Sequence, residues 1–160
     1  MKFDVIISNP PYFKLNKNDL RARLTERIIK GQANIYSLFM AISANLLTEN
    51  GELIFITPRS YTSGYYFKSF RNYFFSKITI DKIHLFHSRK DTFSKDKVLQ
   101  ETVILKGYRS SKNNSKITIS SSTSQIDINN LAKIKIPYDF GIDLNSPNKI
   151  LFTPTTTREL

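Results

Sequence analysis

FDVIISNPPY, residues 3–12, places a short apolar run rich in β-branched side chains directly before a turn that contains two prolines. The run Phe3–Ile7 is typical of a buried parallel strand, and the turn at Ser8–Pro11 ends it. In open α/β sheets, ligands bind at the carboxyl ends of the strands. The stretch therefore predicts a strand that delivers a rigid turn to the functional edge of a sheet.

The residues that follow alternate between helical and strand patterns. Three helices are predicted from apolar side chains spaced three or four apart, after caps at Asp19, at Asn34 and at Thr62 or Ser63. The apolar positions are Leu20, Leu24 and Ile28, then Ile35, Leu38, Phe39, Ile42 and Leu46, then Phe67, Phe70 and Phe74. Further strands are predicted at 53–56, 78–86 and 98–105. This order indicates an α/β layered sheet, and the last two strands, which no helix separates, are expected to be antiparallel neighbours.

The composition narrows the class of protein. Among 160 residues, 24 Lys and Arg oppose 13 Asp and Glu, a net charge of +11 that favours a polyanionic partner, nucleic acid first, or else a solvated basic surface. The absence of cysteine excludes a disulfide framework, a thiolate metal site and a cysteine nucleophile. His84 and His87 are interpreted as structural, so no metal site is predicted. Without a signal peptide or a long apolar run, a cytoplasmic protein is the default.

Ser and Asn dominate residues 110–124, where only Ile117 and Ile119 are apolar. This composition predicts a linker with room for one short strand. Three segments are therefore predicted: a catalytic domain at 1–109, the linker, and a further region at 125–160.

The tetrapeptide Asn9-Pro10-Pro11-Tyr12 is the motif that carries chemistry. Two prolines fix φ and remove two backbone donors, so nearby carbonyls are held in set directions. The Asn9 side-chain oxygen and the Pro10 carbonyl can together accept both hydrogens of an exocyclic amino group and stabilise the positive charge that grows on it during attack. Tyr12 can stack on the ring that carries this group, which for a nucleic-acid base requires flipping. The alternative is a stiff turn with an incidental tyrosine.

DVIISNPPY resembles the catalytic motif of S-adenosylmethionine-dependent amino-methyltransferases. The stretches NIYSLFMAISANLLTENGELIFITPRSY and DKIHLFHSRKDTFSKDKVLQETVILKG follow in an order that resembles the gamma-type N6-adenine DNA methyltransferases of restriction–modification systems. The resemblance covers about residues 3–107. It implies a partial Rossmann-like methyltransferase sheet of parallel strands with a final antiparallel strand, S-adenosylmethionine as cofactor, and transfer of a methyl group to a flipped adenine in double-stranded DNA.

The resemblance also assigns roles to residues of this sequence. Asn9 and the Pro10 carbonyl would hold the adenine amino group. Tyr12 would stack on the flipped base, and Phe93 would pack against it from another side.

Further roles concern the cofactor and the DNA. Pro11 and Phe39 match positions that touch the cofactor, although Phe39 equally fits the apolar core stripe of its helix. Arg59 and Tyr61 follow the second strand and are expected at the same edge of the sheet. The residues predicted to contact DNA are Arg59, Lys90, Lys95 and Lys97.

One expected part of the family's fold is missing from this sequence. By resemblance, a Gly-rich loop that holds the cofactor precedes the Asn-Pro-Pro-Tyr motif, but only eight residues precede Asn9 and none of the five glycines has Gly-x-Gly spacing. The chain is therefore expected to lack the cofactor-binding half and to leave Phe3–Ile7 as an apolar edge. It is predicted to be a fragment or a split subunit, inactive alone and completed by a second chain, or a dimer that pairs these edges. Residues 125–160 would begin a target-recognition region.

Two other functions remain open at this point. One is a methyltransferase for another amino group, on an RNA base or a protein glutamine. The other is a catalytically inactive remnant that binds DNA or a partner chain.

Overall fold

The computed structural model describes residues 1–16, 18–26, 29, 34–87, 101–110, 114–123, 131 and 133–159. The strands are β1 (Phe3–Ser8), β2 (Leu47–Pro58), β3 (Ile78–Phe86), β4 (Thr102–Arg109), β5 (Lys116–Ser122) and β6 (Lys133–Pro137). The helices are α1 (Leu20–Leu24), α2 (Ile35–Leu46), α3 (Lys68–Phe75) and α4 (Tyr138–Gly141), with 3-10 turns at Arg59–Tyr61, Tyr65–Phe67 and Thr157–Glu159. Within these residues, every helix is too short or too polar to cross a membrane.

All six strands belong to one sheet in the order β1-β2-β4-β3-β5-β6. β1 and β2 are parallel, and β4 runs antiparallel to both β2 and β3. The predicted α/β class is thus confirmed, as is the predicted antiparallel pairing of the last two strands of residues 1–109. β5 then pairs in parallel with β3, and β6 pairs antiparallel with β5.

The segment predicted as a linker contributes a strand to this sheet. Within 110–124, β5 buries Ile117 and Ile119 against the core, while Ser120 on the other face bonds to His84 of β3. Because alternate residues of a strand face opposite sides, two isoleucines two positions apart are enough to fix one face in the core. Ser120 and Ser122 lie on the opposite face, where both bond to the His84 ring, so the sheet continues into this segment.

The helix predicted after Asn34 forms as α2, and Ile35 and Leu38 of its predicted apolar stripe are buried, but the rest of the stripe is not. Tyr36, Met40 and Ala44, spaced four apart, are fully buried, whereas Phe39 is 43% and Ile42 is 44% exposed. Phe39 is therefore not a core residue.

Two other predicted helices differ in extent from their patterns. Asp19 caps α1, with Oδ1 accepting from the Arg21 backbone N–H at 2.9 Å, but the helix has five residues and leaves Leu20 and Leu24 exposed. The third helix begins at Lys68 and not after Thr62 or Ser63. The 3-10 turns that replace its first turns pass close together at Gly64, where a Cβ atom would lie 2.5 Å from the Ser60 carbonyl oxygen.

β1 is an edge strand, as predicted. Its only strand neighbour among the described residues is β2. Ile6 packs against the core on the side of the helices, whereas Val5 and Ile7 on the opposite face are 55% and 71% exposed. β1 therefore combines a free hydrogen-bonding edge with an exposed apolar face.

Candidate active site

The Asn-Pro-Pro turn lies at the carboxyl end of β1, beside the carboxyl end of the parallel strand β2. Pro10 is buried, whereas Asn9 and Pro11 are exposed. The buried proline anchors the turn to the protein, and the residues on either side of it remain accessible to a ligand.

Tyr12 orients the side chain of Asn9. Its single hydroxyl proton is shared between two acceptors, Asn9 Oδ1 at 2.8 Å and the Ile56 carbonyl oxygen near the end of β2 at 3.0 Å. Burial raises the pKa of Tyr12 to about 12, so the hydroxyl keeps its proton at neutral pH and remains a donor. An amide oxygen has two lone pairs, and this bond occupies one of them. Asn9 is therefore held at the surface with acceptor capacity for a second hydrogen.

A series of aromatic rings connects the turn to the segment after β2. The Tyr12 ring meets Tyr36 edge to face, with centroids 6.2 Å apart, and Tyr36 stacks on Phe67 at 5.9 Å. The Tyr36 hydroxyl bonds to Ser60 Oγ at 2.9 Å. These contacts form an aromatic wall (Tyr12, Tyr36 and Phe67) that spans three separate chain segments.

A cavity of about 460 Å³ lies along this wall, within the size range of small-molecule sites. Its lining consists of Tyr12, Phe13, Lys14, Asn34, Tyr36, Ser60, Tyr66 and Phe67. Flat aromatic faces combined with a few polar atoms and one cation suit a planar, polar ring such as a nucleic-acid base.

A buried arginine fixes the segment that forms the far side of this cavity. Arg71 is 1% exposed, and its guanidinium donates to the carbonyl oxygens of Tyr61 at 3.0 Å, Gly64 at 2.7 Å and Asn148 at 2.7 Å. Because two of these carbonyls lie in the segment after β2 and the third is at Asn148, Arg71 joins the C-terminal segment to the segment that contributes Ser60, Tyr66 and Phe67 to the cavity. Sequence reasoning missed this residue, since an arginine in a polar-faced helix is usually a surface charge.

The predicted site residues of the turn lie together at this end of the sheet, whereas Phe39 lies on the surface of α2. Asn9, Pro10 and Tyr12 come together at the turn, with Pro11 exposed beside them. Phe39 presents a half-exposed ring on α2. The cofactor contacts of Pro11 and Phe39, and the catalytic roles of the turn, stay predictions.

Arg59 and Tyr61 make contacts within the protein. The Arg59 guanidinium pairs with Glu101 Oε2 at 3.0 Å and donates to Thr153 Oγ1 at 2.9 Å. Tyr61 is fully buried and meets Phe70 edge to face, so the expectation that it lines the sheet edge was wrong: its ring completes the core beneath the turn. Phe93, Lys90, Lys95 and Lys97 lie outside the described residues.

Apart from Tyr12, the residues that line the cavity were not predicted as site residues: Phe13, Lys14, Asn34, Tyr36, Ser60, Tyr66 and Phe67. Asn34 and Phe67 were placed on predicted helices, and the cavity is assembled from segments that are distant in sequence. The histidine interpretation agrees with the structure at His84, whose ring nitrogens bond to the hydroxyls of Ser120 and Ser122 at 2.9 and 3.0 Å. In the part of the chain that the structure describes, no three His, Asp or Glu side chains are grouped to hold a metal ion.

Known proteins share both the sequence and the fold. The Eco57I restriction-modification methylase family matches residues 1–93. The chain is 34% identical over 158 residues to the type II methyltransferase M.PstI of Providencia stuartii, covering 99% of this chain and 31% of that relative. Its fold is similar to part of the type IIG restriction endonuclease BpuSI (TM-score 0.70, 18% identity, 92% of this chain and 20% of that one). It is also similar to a Listeria monocytogenes protein assigned to the class I S-adenosylmethionine-dependent methyltransferases (TM-score 0.60, 17% identity, 77% and 38%).

Proposed function

This chain belongs to the Eco57I restriction-modification methylase family, and we propose that it is the base-binding part of an adenine-specific DNA methyltransferase. The reaction would transfer a methyl group from S-adenosylmethionine to the N6 amino group of an adenine flipped out of double-stranded DNA. The observation that carries the proposal is the exposed Asn9 oxygen, held by Tyr12 beside the aromatic cavity.

The acceptor geometry supports attack by a weak nucleophile. The nitrogen lone pair of an aromatic amine is delocalised into its ring. Acceptors at Asn9 Oδ1 and the Pro10 carbonyl would favour a pyramidal nitrogen and stabilise its growing positive charge. The cofactor would supply the methyl group and leave as a neutral thioether, and the methylated amino group, held by these two oxygens, would then lose a proton to solvent. Such a reaction depends mainly on approach and orientation, which a fixed turn and a stacking ring can supply.

S-adenosylmethionine would supply the methyl group when bound. Pro11 and Phe39 are the residues of this chain proposed to contact it, and both present exposed apolar surface. The sequence has no Gly-x-Gly loop that could enclose the cofactor's charged groups. Most of the cofactor's binding energy is therefore assigned to the part of the domain that these 160 residues do not supply.

The edge and open face of β1 would receive that part of the domain, from the same polypeptide or from a second chain. The free edge of β1 can pair with another parallel strand. Val5 and Ile7 offer the apolar surface that a covering helix buries. The chain spans 31% of the length of M.PstI, so activity, DNA and partner are proposed for the whole protein.

The net charge of +11 favours nucleic acid over the side chain of a protein glutamine as the carrier of the amino group. Lys90, Lys95 and Lys97 are proposed to contact phosphates. Arg59 is proposed for the same role, although its ion pair with Glu101 already offsets part of its charge.

A chimera tests the function directly. This chain would replace the matching 158 residues of M.PstI, and DNA methylated by the chimera would be digested to nucleosides and analysed by mass spectrometry. We expect N6-methyladenine, a strongly reduced but measurable yield in Asn9→Ala, and a smaller reduction in Asn9→Asp, which keeps two acceptor oxygens. A soluble chimera that methylates cytosine, or whose Asn9→Ala variant keeps full turnover, would contradict the proposal.

A further inference from the structure

Two consecutive tyrosines beside the cavity are almost fully exposed. Tyr65 is 83% and Tyr66 is 81% exposed, and their rings meet edge to face with centroids 6.0 Å apart. Tyrosine offers a flat apolar face with a polar tip, a combination that is common in interfaces.

The backbone that carries this tyrosine pair (Tyr65 and Tyr66) is anchored on both sides. Phe67, the next residue, is buried and stacks on Tyr36. On the other side, the Gly64 carbonyl accepts from the buried Arg71 guanidinium at 2.7 Å. The two rings are thus held outward by a fixed 3-10 turn, so little further backbone ordering would be needed to bind a ligand.

The tyrosine pair continues the surface of the active-site cavity. Tyr66 lines that cavity and also a second, shallower one of about 450 Å³. The second cavity is lined by Tyr65, Tyr66, Lys68, Ser69 and Asn72. A strand whose flipped base enters the first cavity would therefore pass over the tyrosine pair, with the exposed Lys68 ammonium beside it.

We propose that the tyrosine pair is a stacking surface for the nucleotide next to the flipped adenine, with Lys68 facing its phosphate. Aromatic rings stack on any base, and an adjacent lysine offsets the backbone charge, which is the combination that binds single-stranded nucleic acid. This inference rests on the proposed function, since it requires a nucleic-acid strand in the cavity. Stacking of the neighbouring nucleotide would compensate for the base stacking that is lost when the target is flipped.

Oligonucleotide binding to the full 160-residue chain tests the inference. Fluorescence anisotropy would compare a labelled single-stranded 12-mer with a central adenine against two versions with an abasic site on the 5′ or the 3′ side of that adenine. The abasic sugar keeps the charge and removes the stacking face. We expect one abasic version to bind between about 5-fold and about 150-fold more weakly than the intact strand.

The variants separate stacking from other roles. The double variant Tyr65→Ala/Tyr66→Ala should bind the intact and abasic strands equally, whereas Tyr65→Phe/Tyr66→Phe, which keeps both rings, should discriminate like the parent. Because both side chains are exposed, thermal unfolding should be unchanged. Phe140→Ala removes an exposed ring from α4, which packs on β5 and β6 at the far end of the sheet, and serves as the matched control.

Each outcome decides between the two proposals. Binding that Tyr12→Ala weakens, but that the alanine double variant leaves unchanged, would overturn this inference alone and would assign the tyrosine pair to another partner. If the unsubstituted chain binds the intact and abasic strands equally, or binds none of them, this inference fails, whereas methylation by the M.PstI chimera tests the proposed function independently.

Discussion

Replacing Tyr12 by phenylalanine would separate the two roles that the structure gives this side chain. The variant keeps the ring that lines the cavity and meets Tyr36, but it removes the hydroxyl that donates to Asn9 Oδ1 at 2.8 Å. Without that donor, the Asn9 amide can rotate and present its NH₂ group to the substrate. We therefore expect Tyr12→Phe to slow methyl transfer while leaving base capture nearly unchanged.

The size of the effect follows from the bond that is lost. A hydrogen bond of this kind contributes about 0.5–1.5 kcal/mol, which corresponds to a decrease in kcat of about 2- to 13-fold. The ring continues to stack, so KM for DNA should change by less than about 2-fold. Tyr12→Ala should raise KM in addition, because stacking on a base contributes about 1–3 kcal/mol.

Steady-state methylation by the M.PstI chimera would measure both parameters, and a cycle with Asn9→Ala would test the coupling. In the Asn9→Ala background, Tyr12→Phe should have no further effect on kcat, because the acceptor that it orients is gone. Unchanged kcat for Tyr12→Phe in the parent, or an additive loss in the double variant, would refute the proposed orientation of Asn9 by Tyr12.

Four further predictions concern the fold. Arg71→Met should lower the free energy of unfolding by at least about 2 kcal/mol, because it leaves three carbonyls without their charged donor, and urea titration would reveal this. Ile119→Ala should lower the free energy of unfolding by about 2–5 kcal/mol in the same assay, because β5 buries this side chain in the core. A decrease below about 0.5 kcal/mol would instead indicate that the segment is a linker outside the core. Burial and the neighbouring His87 lower the pKa of His84, so the unfolded chain binds the proton more readily than the folded chain. The free energy of unfolding should therefore fall as pH drops below about 6.5. His84→Gln should abolish the part of this decrease that comes from His84. Ile7→Lys, on the exposed face of β1, should change the free energy of unfolding of the isolated chain by less than about 0.5 kcal/mol but prevent its assembly with a cofactor-binding half. Normal assembly of the variant would exclude this face as the contact.

The parts of the fold that the sequence predicted are those encoded within single segments. The apolar run before Asn9 forms β1, Asp19 caps α1, and the two runs without an intervening helix pair as β3 and β4. Each depends on residues a few positions apart, where propensity and periodicity act directly.

The errors concern features that depend on distant contacts. On α2, the predicted residues Ile35 and Leu38 are buried, but packing buries Met40 and Ala44 as well and leaves Phe39 and Ile42 exposed. In β5, two isoleucines among serines indicated room for one short strand, but its place in the sheet depends on pairing with the distant strand β3. The pattern of residues within one segment determines neither which side chains of α2 are buried nor which strand β5 pairs with.

The candidate site likewise has one part that is contiguous in sequence and one part that only the fold brings together. The Asn-Pro-Pro-Tyr turn is contiguous and was found from the sequence. The aromatic wall joins Tyr12, Tyr36 and Phe67 from three segments, so only the folded chain brings it together. Tyr61, adjacent in sequence to the cavity residue Ser60, turns into the core because the 3-10 geometry sends neighbouring side chains to different sides.

A crystal structure of the chimera on DNA containing its target adenine would test the account most directly. We predict an adenine outside the duplex, stacked on Tyr12, with its N6 atom about 2.7–3.2 Å from both Asn9 Oδ1 and the Pro10 carbonyl oxygen. An adenine that enters the cavity with N6 directed away from both oxygens, or an Asn9 amide that presents its NH₂ group to the base, would contradict the role assigned to the turn.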